Sequence, residues 1–585
     1  MTDNYWHTPS AAIPAPTPRS PIRARIINPY EREEIPPFCH TVRLPNIRVP
    51  QALDEVFPRW CVHQPVGIFA PTGQGKTTFV RSIVQYCQHC KEGNTAVLYL
   101  CHRRIIGGQQ KRALCKGLGS KWSAVQDPKA FELTSTFEDI GLTIMSYQRF
   151  AAQYREMDLS KFGWVILDEA HFFYSDALFN LFSDDLLEHI PVLFQHARRI
   201  YMSATPGAVL PEICRVEEQV SMRYCGPHCR CFRDGCGQML CYRFPNHFDH
   251  ITLSCFHDRR EIVELVTAHP NEKFLIFTAA RETSDCSPGG SYMSLLNDAG
   301  VNAAYLDRFS KTSDTWQSLC ANECFDAQVL VCTSVLDCGV NIHDDALKHI
   351  VIEAADKTQF LQSLGRKRCA EGERIHVYVR ALSSAALSFR LQETSRWLHI
   401  ANMALNAKSD ADFARIFRQG WYDESSGNPF PHLLQPRRNG RTEVKLTAYH
   451  ALLRRQATLL RLLQDRAEYG DAALPMMALQ WLEREPVLAA IHWLDAPRKD
   501  AAREELQQLL SSATGKHLTG DAWIDFSCKL QNLVGVFIQG AHDMSRDLGY
   551  RALNNRLKSL ELPFFISVVG KDRYTVLAAD ESKEV

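Results

Sequence analysis

A glycine-rich turn that joins an apolar run to an amphipathic segment constrains the fold of this chain most. The run Gly67-Ile68-Phe69-Ala70 has the length and composition of a buried parallel strand. After the turn, apolar residues recur at helical spacing, at Phe79, Val80, Ile83, Val84 and Cys87. Strand, turn and helix in this order predict a phosphate-binding loop. The residues expected to hold the nucleotide are Ala70, Pro71, Thr72, Gly73, Gln74, Gly75, Lys76, Thr77 and Thr78.

The residue types in this loop suit a nucleoside triphosphate. Gly73 and Gly75 allow the backbone to curl, so that successive N–H groups point at the phosphates. The N-terminus of the following helix adds its positive end. We expect Lys76 to reach the β- and γ-phosphates and the hydroxyl of Thr77 to bind magnesium. The sequence therefore predicts a P-loop NTPase that uses Mg²⁺.

A second polar run, Asp168-Glu169-Ala170-His171, follows the apolar strand Trp164–Leu167. Ligands of a parallel α/β sheet lie beyond the carboxyl ends of its strands, so this run and the glycine-rich loop should face one crevice. In that position Asp168 would hold magnesium and Glu169 would polarise the attacking water. The two runs together predict hydrolysis of a nucleotide.

With these residues in place, the chain resembles the superfamily 2 helicases and translocases of the DEAH-box kind. The loop form Ala-x-x-Gly-x-Gly-Lys-Thr, led by Ala70, is typical of that family, and the resemblance covers residues 50–385. The later family motifs occur in the expected order: Leu98–Arg104, Thr143–Gln148, Ser203–Thr205, Lys273–Thr278, Val329–Asn341 and Gln362–Arg368.

This resemblance implies two RecA-like parallel-sheet lobes that hydrolyse ATP between them. It assigns catalytic roles to Lys76, Asp168, Glu169, Gln362, Arg366 and Arg368, and a nucleotide contact to Gly339. It also implies that His171, Ser203 and Thr205 couple the ATP site to the nucleic-acid track. An arginine from the second lobe would neutralise charge on the transferred phosphate, so hydrolysis would require the lobes to close.

The sequence departs from the family pattern at two positions. Cys369 stands where the second arginine is expected, and Arg368 lies one residue earlier. Asn341 occupies the position of a usual aspartate. Either Arg368 takes the role of the second arginine, or Arg366 acts alone.

Composition and patterning divide the 585 residues into five parts. Ten of the 28 prolines fall in the first 50 residues, which favours a disordered tail. Lobe 1 is expected over 51–212, a Cys-rich hairpin or insertion over 213–250, and lobe 2 over 251–385. Residues 386–585 form a mainly helical accessory region. Its end, where the helical residues 550–557 precede two β-like runs, resembles a winged helix with Arg551, Asn555 and Arg556 as candidate contacts.

Cysteines cluster in the segment between the two lobes. The candidate zinc ligands are Cys225, Cys229, Cys231, Cys236 and Cys241. The number of thiols suffices for zinc, but paired Cys-x2-Cys knuckles are missing. The alternative is a hairpin with reduced thiols.

The 66 basic and 66 acidic residues cancel, so nucleic-acid affinity must come from local basic patches. One candidate patch is the segment 435–441 with Arg454, Arg455 and Arg461 on the next predicted helix. We expect an ATP-dependent helicase or translocase that acts on DNA rather than RNA. The alternatives are an ATP-gated nucleic-acid clamp or sensor and the motor subunit of a restriction or defence complex. We also expect a cytoplasmic protein without a membrane span, with protein partners at the N-terminal tail or the C-terminal region.

Overall fold

The computed structural model describes most of the chain. The described residues are 38–90, 94–102, 104–124, 131, 134–178, 180–224, 238–278, 290–307, 309–310, 313–333, 336, 340–370, 372–407, 409–421, 433–436, 442–537 and 549–578.

The described residues of the first lobe form an eight-stranded sheet with helices on both faces. Its strands are β1 (Cys39–Arg43), β2 (Val66–Phe69), β3 (Ala96–Cys101), β4 (Thr136–Phe137), β5 (Leu142–Ser146), β6 (Phe162–Leu167), β7 (Arg198–Ser203) and β8 (Met239–Arg243). The strand order is β1-β8-β2-β7-β6-β3-β5-β4, and only β4 is antiparallel to its neighbour. The helices are α1 (Val49–Leu53), α2 (Lys76–His89), α3 (Arg104–Gly117), α4 (Tyr147–Gln153), α5 (Phe172–Ser175), α6 (Ser183–Leu193) and α7 (Leu210–Tyr224).

The second lobe is a seven-stranded parallel sheet, again covered by helices. Its strands are β9 (Ile251–Phe256), β10 (Lys273–Phe277), β11 (Ala303–Leu306), β12 (Val329–Cys332), β13 (Leu347–Ile352), β14 (Ile375–Arg380) and β17 (His492–Trp493). The order is β11-β12-β10-β13-β14-β9-β17. Its helices are α8 (Arg259–Ala268), α9 (Tyr292–Asp298), α10 (Asp314–Asn322) and α11 (Lys357–Leu364). The two sheets, each covered by helices, confirm the predicted α/β class. Their strands are nearly continuous apolar runs because both faces of each sheet are buried.

Two predicted boundaries are wrong. Residues 38–50, assigned to the disordered tail, include the edge strand β1, which pairs in parallel with β8, and the first two residues of α1. The segment 213–250 is no separate hairpin in its described parts, because it contributes most of α7 and the strand β8. Strand β8 inserts between β1 and β2 in the sheet of lobe 1. Residues 1–37 and 225–237 lie outside the described residues.

The accessory region begins with long helices. Its elements are α12 (Ser384–Leu405), α13 (Asp410–Trp421), β15 (Leu434–Pro436), β16 (Thr442–Val444), α14 (Leu446–Tyr469) and α15 (Ala473–Trp481). Helix α14 spans both lobes. At its start, the buried Lys445 donates to the carbonyls of Ala177 and Asn180 in lobe 1. Towards its end, Leu459 and Leu462 pack in the apolar core of lobe 2.

A small domain closes the described chain. Its elements are α16 (Ala496–Ala513), β18 (His517–Thr519), α17 (Asp521–Gly535), α18 (Tyr550–Ser559), β19 (Phe564–Gly570) and β20 (Arg573–Ala578). The three strands pair antiparallel in the order β18-β20-β19. The order is one helix, a strand, two helices and a hairpin, with the last strand in the middle of the sheet, and the winged helix stays a prediction.

Candidate active site

The glycine-rich loop has the backbone of a phosphate cradle. Gly73 and Gly75 adopt positive φ angles of 85° and 87°, a region that side chains beyond glycine rarely enter. The ammonium of Lys76 lies across its own loop and donates to the carbonyl oxygens of Ala70 at 2.7 Å and Pro71 at 3.4 Å. Burial lowers the pKa of Lys76. The charge of a buried ammonium is stabilised when an anion binds beside it, so Lys76 is suited to bind a phosphate.

Helix α1 supports this loop from below, a contact that sequence analysis missed. The N–H of Val49 donates to the carbonyl oxygen of Gln74 at 2.9 Å. A Cβ at Gly75 would lie 3.2 Å from Cδ of Pro50, so the two segments are in close contact. The proline-rich composition around Pro50 suggested a tail, and no local pattern reveals a partner 25 residues away.

Two tyrosines hold the first carboxylate, Asp168. The Tyr99 hydroxyl, from the middle of β3, donates to Oδ2 of Asp168. The Tyr147 hydroxyl donates to the backbone oxygen of Asp168 at 2.9 Å. Both tyrosines are fully buried, and Asp168 is 4% exposed. Sequence analysis missed the roles of both tyrosines, because Tyr99 lies within an otherwise apolar strand and Tyr147 is the first residue of α4.

The second carboxylate, Glu169, faces His171 and the cations of the cleft. Its φ of 50° is unusual for a residue other than glycine and points to a backbone that the surrounding structure constrains. Burial alone would raise the pKa of Glu169, but His171, Lys76 and Arg366 hold it below its usual range. The carboxylate and Nδ1 of His171 are 3.3 Å apart, and the same nitrogen lies 3.3 Å from Oγ of Ser203. Glu169 is thus kept ionised, as a water-polarising base must be.

A direct hydrogen bond crosses from the second lobe to the first. Nε2 of Gln362, on α11, donates to Oγ1 of Thr205 at 3.2 Å. The N–H of Thr205 in turn donates to Oγ of Ser203 at 3.0 Å. Gln362 also accepts from the Arg366 guanidinium, at 2.9 Å on its backbone oxygen and 3.0 Å on Oε1. One side chain therefore links the coupling residues of lobe 1 to an arginine of lobe 2.

The two departures from the family pattern contact each other. The Arg368 guanidinium donates through Nε to Oδ1 of Asn341 at 2.9 Å. A backbone bridge joins the two segments, since Ile342 and Lys367 pair in parallel. Burial and the neighbouring Arg366 lower the pKa of Arg368 to about 10. A neutral amide at 341 orients the guanidinium without neutralising it, so Arg368 keeps its positive charge at neutral pH.

Arg368 also faces the phosphate loop. A Cβ at Gly73 would lie 4.0 Å from Nη1 of Arg368. Beside it, a Cβ at Gly365 would lie 2.9 Å from Oγ1 of Thr72, so α11 ends against the loop of lobe 1. The structure thus brings two carboxylates and three cations from both lobes to one crevice, an arrangement able to bind and hydrolyse a triphosphate.

Other predicted site residues lie elsewhere. Thr78 is exposed and its hydroxyl accepts from Arg81 at 3.0 Å. Gly339 is outside the described residues, as are the thiols Cys225, Cys229, Cys231 and Cys236.

The remaining candidate zinc ligand is in the core of lobe 1. Cys241 is fully buried on β8, and Cys39 donates to its sulfur at 2.8 Å. Within the described ranges, no cysteine belongs to a group of side chains with metal-ligand spacing. The prediction of zinc therefore has no support.

The candidate basic patch of the accessory region is in part structural. Arg454 donates to the Gly207 carbonyl at 3.5 Å and lies over the Tyr174 ring. Arg461 donates to Gln480 at 2.7 Å. The guanidiniums of Arg454 and Arg461 therefore hold α14 against neighbouring elements. Residues 437–441, the rest of the candidate patch, are outside the described residues. No helix in the described part of the chain has the length and apolar character to cross a membrane.

Residues 50–208 match the family model of the type III restriction enzyme res subunit. This range holds the glycine-rich loop, both carboxylates and the coupling segment. No curated protein matches the sequence.

Several solved structures are similar at low identity. Saccharomyces cerevisiae Dbp5 bound to RNA and ADP-BeF3 is 14% identical, with 56% of this chain and 81% of that chain covered and a TM-score of 0.38. Mycobacterium smegmatis helicase Lhr bound to single-stranded DNA and AMP-PNP is 18% identical, with 66% and 57% covered and a TM-score of 0.37. A DEAD box protein from Methanococcus jannaschii is 16% identical, with 56% and 85% covered and a TM-score of 0.30.

Such TM-scores support no argument about function, so the assignment of the fold rests on the two parallel sheets and their strand orders. The family model covers the nucleotide-binding lobe alone, and the motifs that continue in order through the second lobe extend the likeness. Over residues 50–208, the first lobe of this chain is therefore similar to the res subunit of type III restriction enzymes.

Proposed function

We propose that this protein is a nucleic-acid-dependent ATPase of the DEAH-box kind that works as a helicase or translocase on DNA. The observation that carries the proposal is the link between Gln362 and Thr205, which joins Arg366 of lobe 2 to the carboxylate and coupling segments of lobe 1. A site completed by both lobes makes hydrolysis depend on their closure, and closure can move a bound strand.

The residues have distinct roles in this proposal. Lys76 and the N–H groups of the loop bind the phosphates, and Thr77 and Asp168 would hold a magnesium ion, which neutralises phosphate charge when bound. Glu169 accepts the proton of the attacking water. Arg366 and Arg368 stabilise the charge that spreads over the γ-oxygens.

The decisive variant is Glu169→Gln, which keeps the shape of the side chain and removes the base. We expect ATP hydrolysis to fall at least a hundredfold, the usual contribution of a general base being about 10²–10⁴-fold. ATP affinity, measured with a fluorescent analogue, should stay within about twofold, because the loop and Lys76 are intact. Unchanged hydrolysis in this variant would refute the assignment.

The substrate is tested by measuring the ATPase rate with single-stranded DNA, duplex DNA and RNA in parallel. Stimulation by DNA in preference to RNA is the expected result, and stimulation by RNA alone would contradict the proposal. Strand separation on a tailed duplex, or displacement of a bound protein along DNA, then distinguishes a motor from a clamp that hydrolyses ATP without moving. We place the protein in the cytoplasm, in keeping with the free thiols of the described cysteines.

A further inference from the structure

A histidine and two carboxylates meet where the C-terminal domain joins lobe 2. His257 follows β9, Glu261 lies in the first turn of α8, and Asp495 lies between β17 and α16. One ligand atom of each side chain lies within 4.8 Å of the ligand atoms of the other two. Asp495 is 238 residues from His257 in the sequence, so the fold and not a local motif brings the three side chains together.

Each of the two carboxylates has one oxygen without a donor. Oε1 of Glu261 accepts from the N–H groups of His257 at 3.1 Å and Asp258 at 2.8 Å, which caps α8. Asp495 lies at the N-cap of α16 but accepts no capping hydrogen bond there, and its Oδ2 pairs with Lys499 at 2.7 Å. Oε2 of Glu261 and Oδ1 of Asp495 are inaccessible to solvent and have no hydrogen-bond partner among the described residues. Such buried oxygens are costly unless a proton or a cation lies beside them.

The imidazole of His257 has the orientation of a metal ligand. Its Nδ1 faces Oδ2 of Asp495 at 3.0 Å, while its Nε2 faces Oδ2 of Asp471 at 3.4 Å. Trp493 stacks on the ring, with the centroids 4.3 Å apart and the planes at 9°. Histidines that bind metals commonly donate their other N–H to a carboxylate, which fixes the ring and its tautomer. Asp471 occupies that position, so Nδ1 is the nitrogen that would bind an ion.

Charge and access also favour a cation at this place. The three carboxylates outnumber the two basic side chains that pair with them, Lys499 with Asp495 and Arg466 with Asp471. A cavity of about 430 Å³ borders the group and is lined by His257, Asp471 and Asp495 among others. An ion and its water ligands would therefore have both a negatively charged site and a way in.

We propose that His257, Glu261 and Asp495 bind a divalent transition-metal ion such as Mn²⁺, which holds the C-terminal domain against lobe 2. Nδ1 of His257, Oε2 of Glu261 and Oδ1 of Asp495 are the protein ligands, and water from the cavity completes the coordination. The imidazole distinguishes this site from those of Mg²⁺ and Ca²⁺, which prefer oxygen ligands alone, and the two carboxylates suit Mn²⁺. In the metal-free protein Nδ1 carries a proton instead and donates it to Oδ2 of Asp495.

The test measures Mn²⁺ binding to the full-length protein without nucleotide and in excess Mg²⁺, which keeps the probe out of the ATP site. Free Mn²⁺ is followed by its electron paramagnetic resonance signal. The test variant is Glu261→Gln, which keeps Oε1 for the cap of α8 and replaces Oε2 by an amide nitrogen. The matched control is Glu264→Gln, at an exposed carboxylate of the same helix. We expect wild type and control to bind about one equivalent with the same Kd, and the test variant to bind at least about tenfold more weakly.

Thermal stability and amide exchange test whether the ion holds the domain. Saturating Mn²⁺ should raise the Tm of the wild type and of Glu264→Gln but leave that of Glu261→Gln unchanged. It should also slow amide exchange in β17, the strand that joins the sheet of lobe 2 before α16, in the same two proteins. Without metal, Glu261→Gln should be as stable as the wild type, because its amide can donate to Oδ1 of Asp495. A loss of Mn²⁺ binding in this variant is then not due to unfolding.

A second variant concerns the carboxylate that orients the histidine. Asp471→Asn keeps an acceptor for Nε2 of His257 and removes the charge, so Mn²⁺ binding should weaken about tenfold. The inference is overturned if the wild type binds no Mn²⁺ in excess Mg²⁺, or if Glu261→Gln and Glu264→Gln bind it equally. A proton shared by the two carboxylates would then satisfy the buried oxygens. None of these measurements involves ATP hydrolysis, so their outcome is independent of the motor proposed above.

Discussion

The hydrogen bond between Gln362 and Thr205 gives the sharpest test of coupling between the lobes. Thr205→Val removes the hydroxyl that accepts this bond and keeps the shape of the side chain. Thr205 and Gln362 are 7% and 2% exposed, so water cannot replace the lost acceptor. An unsatisfied buried donor costs about 1–3 kcal/mol. That cost destabilises the closed arrangement, so the ratio of closed to open molecules should drop about 5- to 150-fold.

The assay separates closure from nucleotide binding. We expect kcat for ATP hydrolysis at saturating DNA to fall by that factor, while the Kd for a fluorescent nucleotide stays near the wild-type value. Thr394→Val is the matched control, because Thr394 is equally buried but bonds to Arg390 within α12, far from the cleft. Its ATPase rate should match the wild type.

A double-mutant cycle with Gln362→Leu completes the test. If the hydrogen bond carries the effect, Thr205→Val should add little to Gln362→Leu, and the coupling energy should be about 1 kcal/mol or more. The reasoning fails if Thr205→Val changes kcat less than twofold, or if the two substitutions act additively.

Three further predictions concern side chains that form buried or half-buried hydrogen bonds. Tyr99→Phe removes the donor to Asp168, and the half-saturating Mg²⁺ concentration for ATPase should rise about tenfold; an unchanged value would deny Tyr99 a role in positioning that carboxylate. In the metal-free protein, burial disfavours charge on His257, yet the hydrogen bonds that its ring donates to the carboxylates of Asp471 and Asp495 raise its pKa above the usual value. The stability gained is fully present below about pH 6.5 and lost as pH rises through the raised pKa, so the Tm deficit of His257→Gln should be larger at pH 6 than at pH 8.5. Lys445→Met leaves the Ala177 carbonyl without its side-chain donor and the Asn180 carbonyl with only the Ser183 hydroxyl at 3.5 Å. It should lower the free energy of unfolding by about 2 kcal/mol in urea titrations, whereas a neutral result would make the contact dispensable.

Both sheets and the phosphate loop could be predicted from local patterns, namely short apolar runs and a glycine-rich turn. A strand, a glycine pair and an amphipathic helix are neighbours in the chain, so their geometry follows from short-range propensity. The roles of Tyr99 and of the strand β17 could not be predicted in this way. Tyr99 fits an apolar strand as well as any aromatic residue does, and its partner Asp168 is 69 residues away. Strand β17 is two residues long and joins β9 from more than 200 residues downstream, a pairing set by tertiary packing alone.

The two departures from the family motifs also show that sequence spacing does not predict contacts between distant residues. Arg368 and Asn341 each weakened the family likeness when considered alone. Their contact is a property of the folded second lobe, where a backbone bridge aligns the two segments. Sequence spacing predicts that the Arg368 guanidinium lies near the site. Only the folded structure shows that the Asn341 amide orients it.

The length of helix α14 and its contacts with both lobes determine how it would move when the lobes rotate. Its 24 residues make a rod of about 36 Å with one end on each lobe. A rotation of about 10° around its apolar anchor at Leu459 and Leu462 would displace the start of the helix, about 21 Å away, by about 4 Å. The polar contacts of Lys445 can exchange with water, whereas separating the apolar anchor would expose core surface.

We therefore expect α14 to keep its contacts with lobe 2 and to change its contacts with lobe 1 in each cycle of closure. Because β17 fastens the start of the C-terminal domain to the sheet of lobe 2, that domain should travel with it. The C-terminal domain would then move relative to lobe 1 in each cycle, and the length of α14 between its apolar anchor and Lys445 would set the distance moved.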